Sequence, residues 1–168
     1  SKGEGSNNFK MRKKIFSVSA TAVAFLTLLA FTNVDITGTQ FPEITGENLD
    51  KKQVTLPADA KGKPSFIGIA YSRKAEDDLR TWINPMYNKF IVKSGLMDQM
   101  IDANLYFITM FTRTTNITAN IAMKQLSEGT NRNFYPYIVC YRGKLGQYKE
   151  ELNMPDKEKP YFFVLDKD

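Results

Sequence analysis

Lys63-Pro64-Ser65-Phe66-Ile67-Gly68-Ile69-Ala70-Tyr71-Ser72-Arg73-Lys74-Ala75-Glu76-Asp77-Asp78-Leu79 decides the fold. Residues 65–71 are a continuous apolar run, the pattern of a strand buried on both faces of a parallel sheet. Ser72 can accept from a free helix N–H, and the acidic Glu76, Asp77 and Asp78 suit the positive end of a helix dipole. The stretch therefore reads as a core strand running straight into a helix of residues 75–92. Leu79, Trp82 or Ile83, Met86 and Phe90 recur at helical spacing and mark its inward face. Pro85 lies inside and should kink the helix near residues 81–84. Gly95 is a natural stop.

Downstream, residues 105–111 form a second apolar strand, and residues 116–128 a second helix with Ile117, Ile121 and Leu126 inward and Gly129 at its end. A polar loop at 130–134 leads to a third strand at 137–141. Residues 145–152 read as short and irregular. Residues 160–166 form the last strand. Upstream, residues 41–49 hold a short strand and turn, and 53–57 a second short strand ended by proline. Strands alternating with helices give an α/β three-layer domain around a mixed sheet.

A chain of 168 residues, 42% hydrophobic and 12% aromatic, is sized for one packed domain. The net charge of +5 sits mostly at the front. Residues 1–30 carry five basic side chains against Glu4. The remainder carries 18 basic and 17 acidic ones, so the folded part has no global basic field for nucleic acid.

Met11-Arg12-Lys13-Lys14 followed by the uncharged run Ile15–Phe31 has the anatomy of a secretory signal. As a helix that run spans about 25 Å, against the ~30 Å hydrocarbon core of a bilayer. The expectation is a signal peptide or an N-terminal membrane anchor at 11–31, a tether at 32–40, and a domain at 41–168, with residues 1–10 a tag or tail. This places the domain outside the cytoplasm, exported, periplasmic or anchored in the inner membrane and facing the periplasm.

Chemistry-bearing residues are sparse. The chain has no histidine and one cysteine, Cys140, which excludes intramolecular disulfides, Ser–His and Cys–His catalysis and His-containing metal sites. Cys140 lies in the apolar run Tyr137-Ile138-Val139-Cys140-Tyr141, where a small buried thiol is the default. Its use as a nucleophile needs a nearby cation, and Arg142, two residues on, shares its strand face. Ser72, Arg73 and Lys74 stand at a helix N-terminus, where free N–H groups and two cations suit an anion. The alternative there is a solvated loop whose Arg73 pairs with an acid such as Asp77. No carboxylate pair has the spacing of a metal or acid–base site, and no cofactor is expected.

The order of pieces resembles the thioredoxin-like superfamily in its redoxin form. The resemblance covers residues 41–168 and rests on Phe41-Pro42 with Gly46 and Leu49, on Gly62-Lys63-Pro64 before the core strand, and on Pro160 before a late strand ending Val164-Leu165-Asp166. It implies that Pro160 stands at the cis-proline position facing the active site. Where that superfamily carries paired cysteines, this chain has Ser72, Arg73, Lys74 and Ala75. Tyr71-Ser72-Arg73 and the helix pattern Leu79-x-x-Trp82-x-x-Pro85 are similar to the mitochondrial ATP synthase assembly factors, which lack redox cysteines. The leader is bacterial in style, which reads as an exported bacterial relative. The family pattern runs on with a final edge strand and closing helix beyond Asp168. The resemblance implies a non-catalytic domain that binds a protein or peptide partner, in envelope or complex assembly, through Ser72, Arg73, Lys74, Trp82 and Pro160. The other readings are a one-cysteine thiol peroxidase or oxidoreductase using Cys140, and an anion or small-ligand module at Ser72–Lys74.

Overall fold

The computed structural model describes residues 36–111 and 116–168, and the side chains of Asn116 and Ile117 lie outside the description. The leader at 11–31 and residues 32–35 of the tether lie outside the described residues. Six strands form one sheet: β1 Ile44–Asn48, β2 Gln53–Leu56, β3 Ser65–Ala70, β4 Asn104–Phe111, β5 Ile138–Arg142 and β6 Tyr161–Leu165. Their order is β2-β1-β5-β4-β3-β6. β3, β4 and β5 run parallel, with Phe66 opposite Leu105 and Thr109 opposite Cys140. β6 is antiparallel to β3, and β1 is antiparallel to both β2 and β5.

Alternation along the strands divides the core in two. Ile67, Ile69, Ile108, Met110 and Val139 face one side with Leu152 and Met154. The short helix α3, Gly146–Glu151, closes that side where the sequence suggested an irregular stretch. Its Tyr148 stacks edge-on against Tyr141. On the other side Leu105, Phe107, Ile138 and Cys140 meet the helices α1, Arg73–Tyr87, and α2, Asn116–Glu128. The result is the expected α/β three-layer arrangement on a mixed sheet.

α1 follows β3 after two residues, Tyr71 and Ser72. Gly68 sits beneath it: a Cβ there would come 2.7 Å from Leu79 Cδ1, so the missing side chain lets the helix lie close on the sheet. Ala75, Leu79 and Ile83 are the buried face, which resolves the choice at 82 or 83 in favour of Ile83. The helix runs on past Pro85, and the departure from α geometry comes after it, as a wider π turn at Asn88–Val92. That turn ends on Lys93 in the left-handed conformation (φ 55°), two residues before the expected stop at Gly95.

α2 has the expected bounds. Of the inward residues expected, Leu126 is buried and Ile121 is exposed, and the side chain of Ile117 lies outside the described residues; Ala119 and Met123 complete the buried face. Arg132–Tyr137 forms a 3₁₀ segment that overlaps the polar loop expected at 130–134 and delays the third strand from 137 to Ile138; it starts with Asn131 capping the N–H of Asn133. Among the described residues the cis peptide bond is Leu56–Pro57, not the one before Pro160.

Candidate functional site

The parallel strands β3 and β4 end on the same edge of the sheet, where the chain must turn into α1. Ser72 is the N-cap, with extended backbone (φ −140°, ψ 161°). Its Oγ accepts from the N–H of Ala75 at 3.2 Å, and its O–H donates to the carbonyl of Lys157. The hydroxyl's proton and one of its lone pairs are thus engaged. Arg73 Nε lies 3.9 Å from Asp77 Oδ1, and Lys74 Nζ lies 3.3 Å from Glu158 Oε2. The two cations that suggested an anion site already face carboxylates. These pairs are exposed and individually weak. Arg73 takes the partner that the solvated-loop alternative named.

One turn further, Glu76 Oε1 accepts from Arg80 at 3.1 and 3.3 Å. This pair is more sheltered than those at the corner. It lines a cleft of about 380 Å³ between the start of α1, residues 109–111 of β4, and Ala122, Gln125 and Leu126 of α2. Thr109 is buried there. The cleft therefore opens at the carboxyl ends of parallel strands, where α/β sheets present ligand-sized crevices. Its walls offer guanidinium and amide donors and carboxylate acceptors beside the apolar Met110, Phe111 and Leu126. Such walls can hold peptide-like groups.

Cys140 stands apart from solvent at 2% exposure. Burial pushes its thiol up to about 12, with Glu76 adding repulsion of the thiolate and Arg142 opposing it weakly. Arg142 shares the face, as expected, but its guanidinium is engaged by Asn120 Oδ1 at 3.1 Å and by the Met123 sulfur. At neutral pH Cys140 is a protonated core thiol. Among the described residues no three acidic or sulfur side chains cluster as metal ligands.

The structure brings Ser72, Arg73 and Lys74 together, and through Lys157 and Glu158 it draws the loop that Pro160 ends against them. Trp82 is elsewhere. It lies farther along α1, 44% exposed, its ring edge-on to Phe162 of β6 at 5.3 Å. Phe66 and Phe90 continue this aromatic strip. Sequence reasoning missed Glu76 and Arg80 as a site pair. Their i,i+4 spacing was the available signal. Thr109 and Gln125 carried no signal, because only the tertiary fold brings them to the cleft.

The sheet order and the strand-to-helix corner have the thioredoxin-like arrangement, without the paired cysteines. Solved structures resemble the chain at low identity. The chain is similar to a conserved protein of Geobacillus kaustophilus, with TM-score 0.51 and 13% identity over 78% of this chain and 64% of that one. It also aligns with the pneumococcal exposed lipoprotein thioredoxin Etrx1 of Streptococcus pneumoniae (TM-score 0.49, 15% identity, 75% and 82% covered) and with yeast Sco1 (TM-score 0.44, 16% identity, 78% and 79% covered). No protein-family model matches the chain, and no curated protein matches it.

Proposed function

We propose that this thioredoxin-like domain works by holding a protein or peptide partner and performs no thiol chemistry. The observation that carries the reading is the corner itself. A serine hydroxyl engaged in two hydrogen bonds caps the helix there, and the chain's one thiol lies buried in the sheet with its proton held up to about 12. What the corner offers instead is the polar cleft beside Glu76 and Arg80. The apolar leader in the sequence supports an exported or membrane-tethered setting. The likeness of Tyr71-Ser72-Arg73 and Leu79-x-x-Trp82-x-x-Pro85 to the cysteine-free assembly factors supports a task in envelope or complex assembly.

The test is chemical crosslinking of the full chain in envelope membranes, followed by mass spectrometry. The expected result is a discrete crosslinked partner that Glu76→Gln with Arg80→Ala removes, while melting stays within a few degrees of the parent. Insulin reduction or peroxide turnover that Cys140→Ser abolishes would overturn the proposal.

A further inference from the structure

The cleft at the carboxyl ends of β3 and β4 holds a polar group that the fold itself does not use. Thr109 is 6% exposed, and its register partners Ala70 and Cys140 are both buried on the helix side of the sheet. Its side chain therefore points between α1 and α2, at the cleft that it lines. The hydroxyl makes no hydrogen bond among the described residues, and its oxygen is not sealed within the core, so its free capacity faces the cleft. Buried polar groups are nearly always hydrogen-bonded, so one left open beside a cleft is a place for a ligand atom. The other polar groups of the lining are mostly engaged. Tyr71 donates its O–H to the carbonyl of Met154, and Ser72 donates to that of Lys157. Arg73 faces Asp77, and Arg80 is held by Glu76. Two cations against two carboxylates leave the walls without net charge. Besides Thr109, the neutral side chain with free capacity is Gln125 on α2, whose carboxamide has no partner among the described residues.

We infer that the cleft takes a neutral amide group of the partner, with the Thr109 hydroxyl as its anchor. This deepens the partner-binding reading and rests on it. Three features of the lining select an amide. A charged group entering the cleft loses water and finds no free countercharge, because each cation there already faces a carboxylate. An amide brings a donor and an acceptor, which a hydroxyl and a carboxamide complement. Its planar faces are weakly polar and lie well against Met110, Phe111 and Leu126. The volume of about 380 Å³ is at the small end for a ligand pocket, enough for one such group and its flanking backbone. The amide can belong to the partner's backbone or to an asparagine or glutamine side chain, and the two share this chemistry.

Thr109→Val keeps the branched shape and removes the hydroxyl, whereas Thr109→Ser keeps the hydroxyl. The full chain is prepared with isotope-labelled threonine methyls, and the Thr109 signal is identified by its absence from Thr109→Val. The probes are N-methylacetamide for a backbone amide, propionamide for a side-chain amide, and propionate and methylguanidinium for the two charges. The expected result is a saturable shift of the Thr109 methyl with at least one amide and none with the ions. The stronger amide tells which source the partner uses. No saturable shift with either amide, or an equal one with an ion, overturns the inference. In crosslinking of the full chain, Thr109→Val should lower partner yield about fivefold, the worth of one hydrogen bond, while Thr109→Ser retains it. Melting of Thr109→Val should be unchanged or raised, because no internal bond is lost. A fall of several degrees would mark the hydroxyl as an internal structural group and also overturn the inference. A partner that Thr109→Val captures in full sinks the amide anchor and leaves the partner reading intact. A saturable amide shift in a chain that captures no partner supports the amide site and sinks the partner reading.

Discussion

At the scale of single residues, Cys140 is a buried thiol and Ser72 a helix cap. Cys140 shares its side of the sheet with Ile138, Leu105 and Phe107, and desolvation there disfavours the thiolate. An unfolded thiol loses its proton near 9, whereas the folded one holds it up to about 12. Unfolding above pH 9 therefore releases a proton, so this contribution to stability is complete below pH 9 and is lost as pH rises towards 12. Tyr71 and Tyr148 are raised to about 12 as well, so the parent curve mixes several groups. Denaturant midpoints measured from pH 7 to 11 should fall less steeply above pH 9 in Cys140→Ala than in the parent, and equal slopes would contradict the assignment. That the cysteine lies in a buried strand was legible from its apolar neighbours. That Arg142 would be taken up by Asn120 and Met123 was not, because those residues arrive from α2, 19 to 22 positions away.

At the scale of elements, the β3–α1 unit shows where local sequence suffices. Cap, strand and helix were all readable from residues 63–79, because each signal acts over a few residues. Ser72→Ala removes the cap bond to Ala75 and the tie to Lys157, and should cost about 1 kcal/mol in denaturant unfolding. Gly68→Ala forces a Cβ against Leu79 and Phe107 and should cost roughly 1–3 kcal/mol. Truncating Leu79 to alanine in the same chain should recover part of that loss, a coupling that a double-mutant cycle reads directly. Features set by packing were less legible. Ile121 and Ala119 both lie on α2, and only the tertiary fold decides that the alanine is buried and the isoleucine exposed. Pro85 signals a disturbance in α1, and the structure places it one turn later, as the π turn before Lys93.

At the scale of the whole domain, the described residues present two distinct surfaces. One is the polar cleft at the ends of β3 and β4. The other is the aromatic strip of Phe66, Trp82, Phe90 and Phe162, beside β6 at the end of the sheet order. The family resemblance grouped Trp82 with Ser72. The structure separates them, since Trp82 turns towards β6 while Glu76 and Arg80 turn towards α2. Trp82 is the chain's only tryptophan, which makes it a reporter of which surface a partner covers. Half exposed, it should be quenched by acrylamide to an extent between that of free tryptophan and a core residue. A partner seated in the cleft leaves that quenching unchanged, and Arg80→Ala weakens its binding. A partner seated on the strip protects Trp82, and Trp82→Ala weakens binding while Arg80→Ala does not. The cleft reading predicts the first pattern, and protection of Trp82 by a crosslinked partner would move the binding surface to β6.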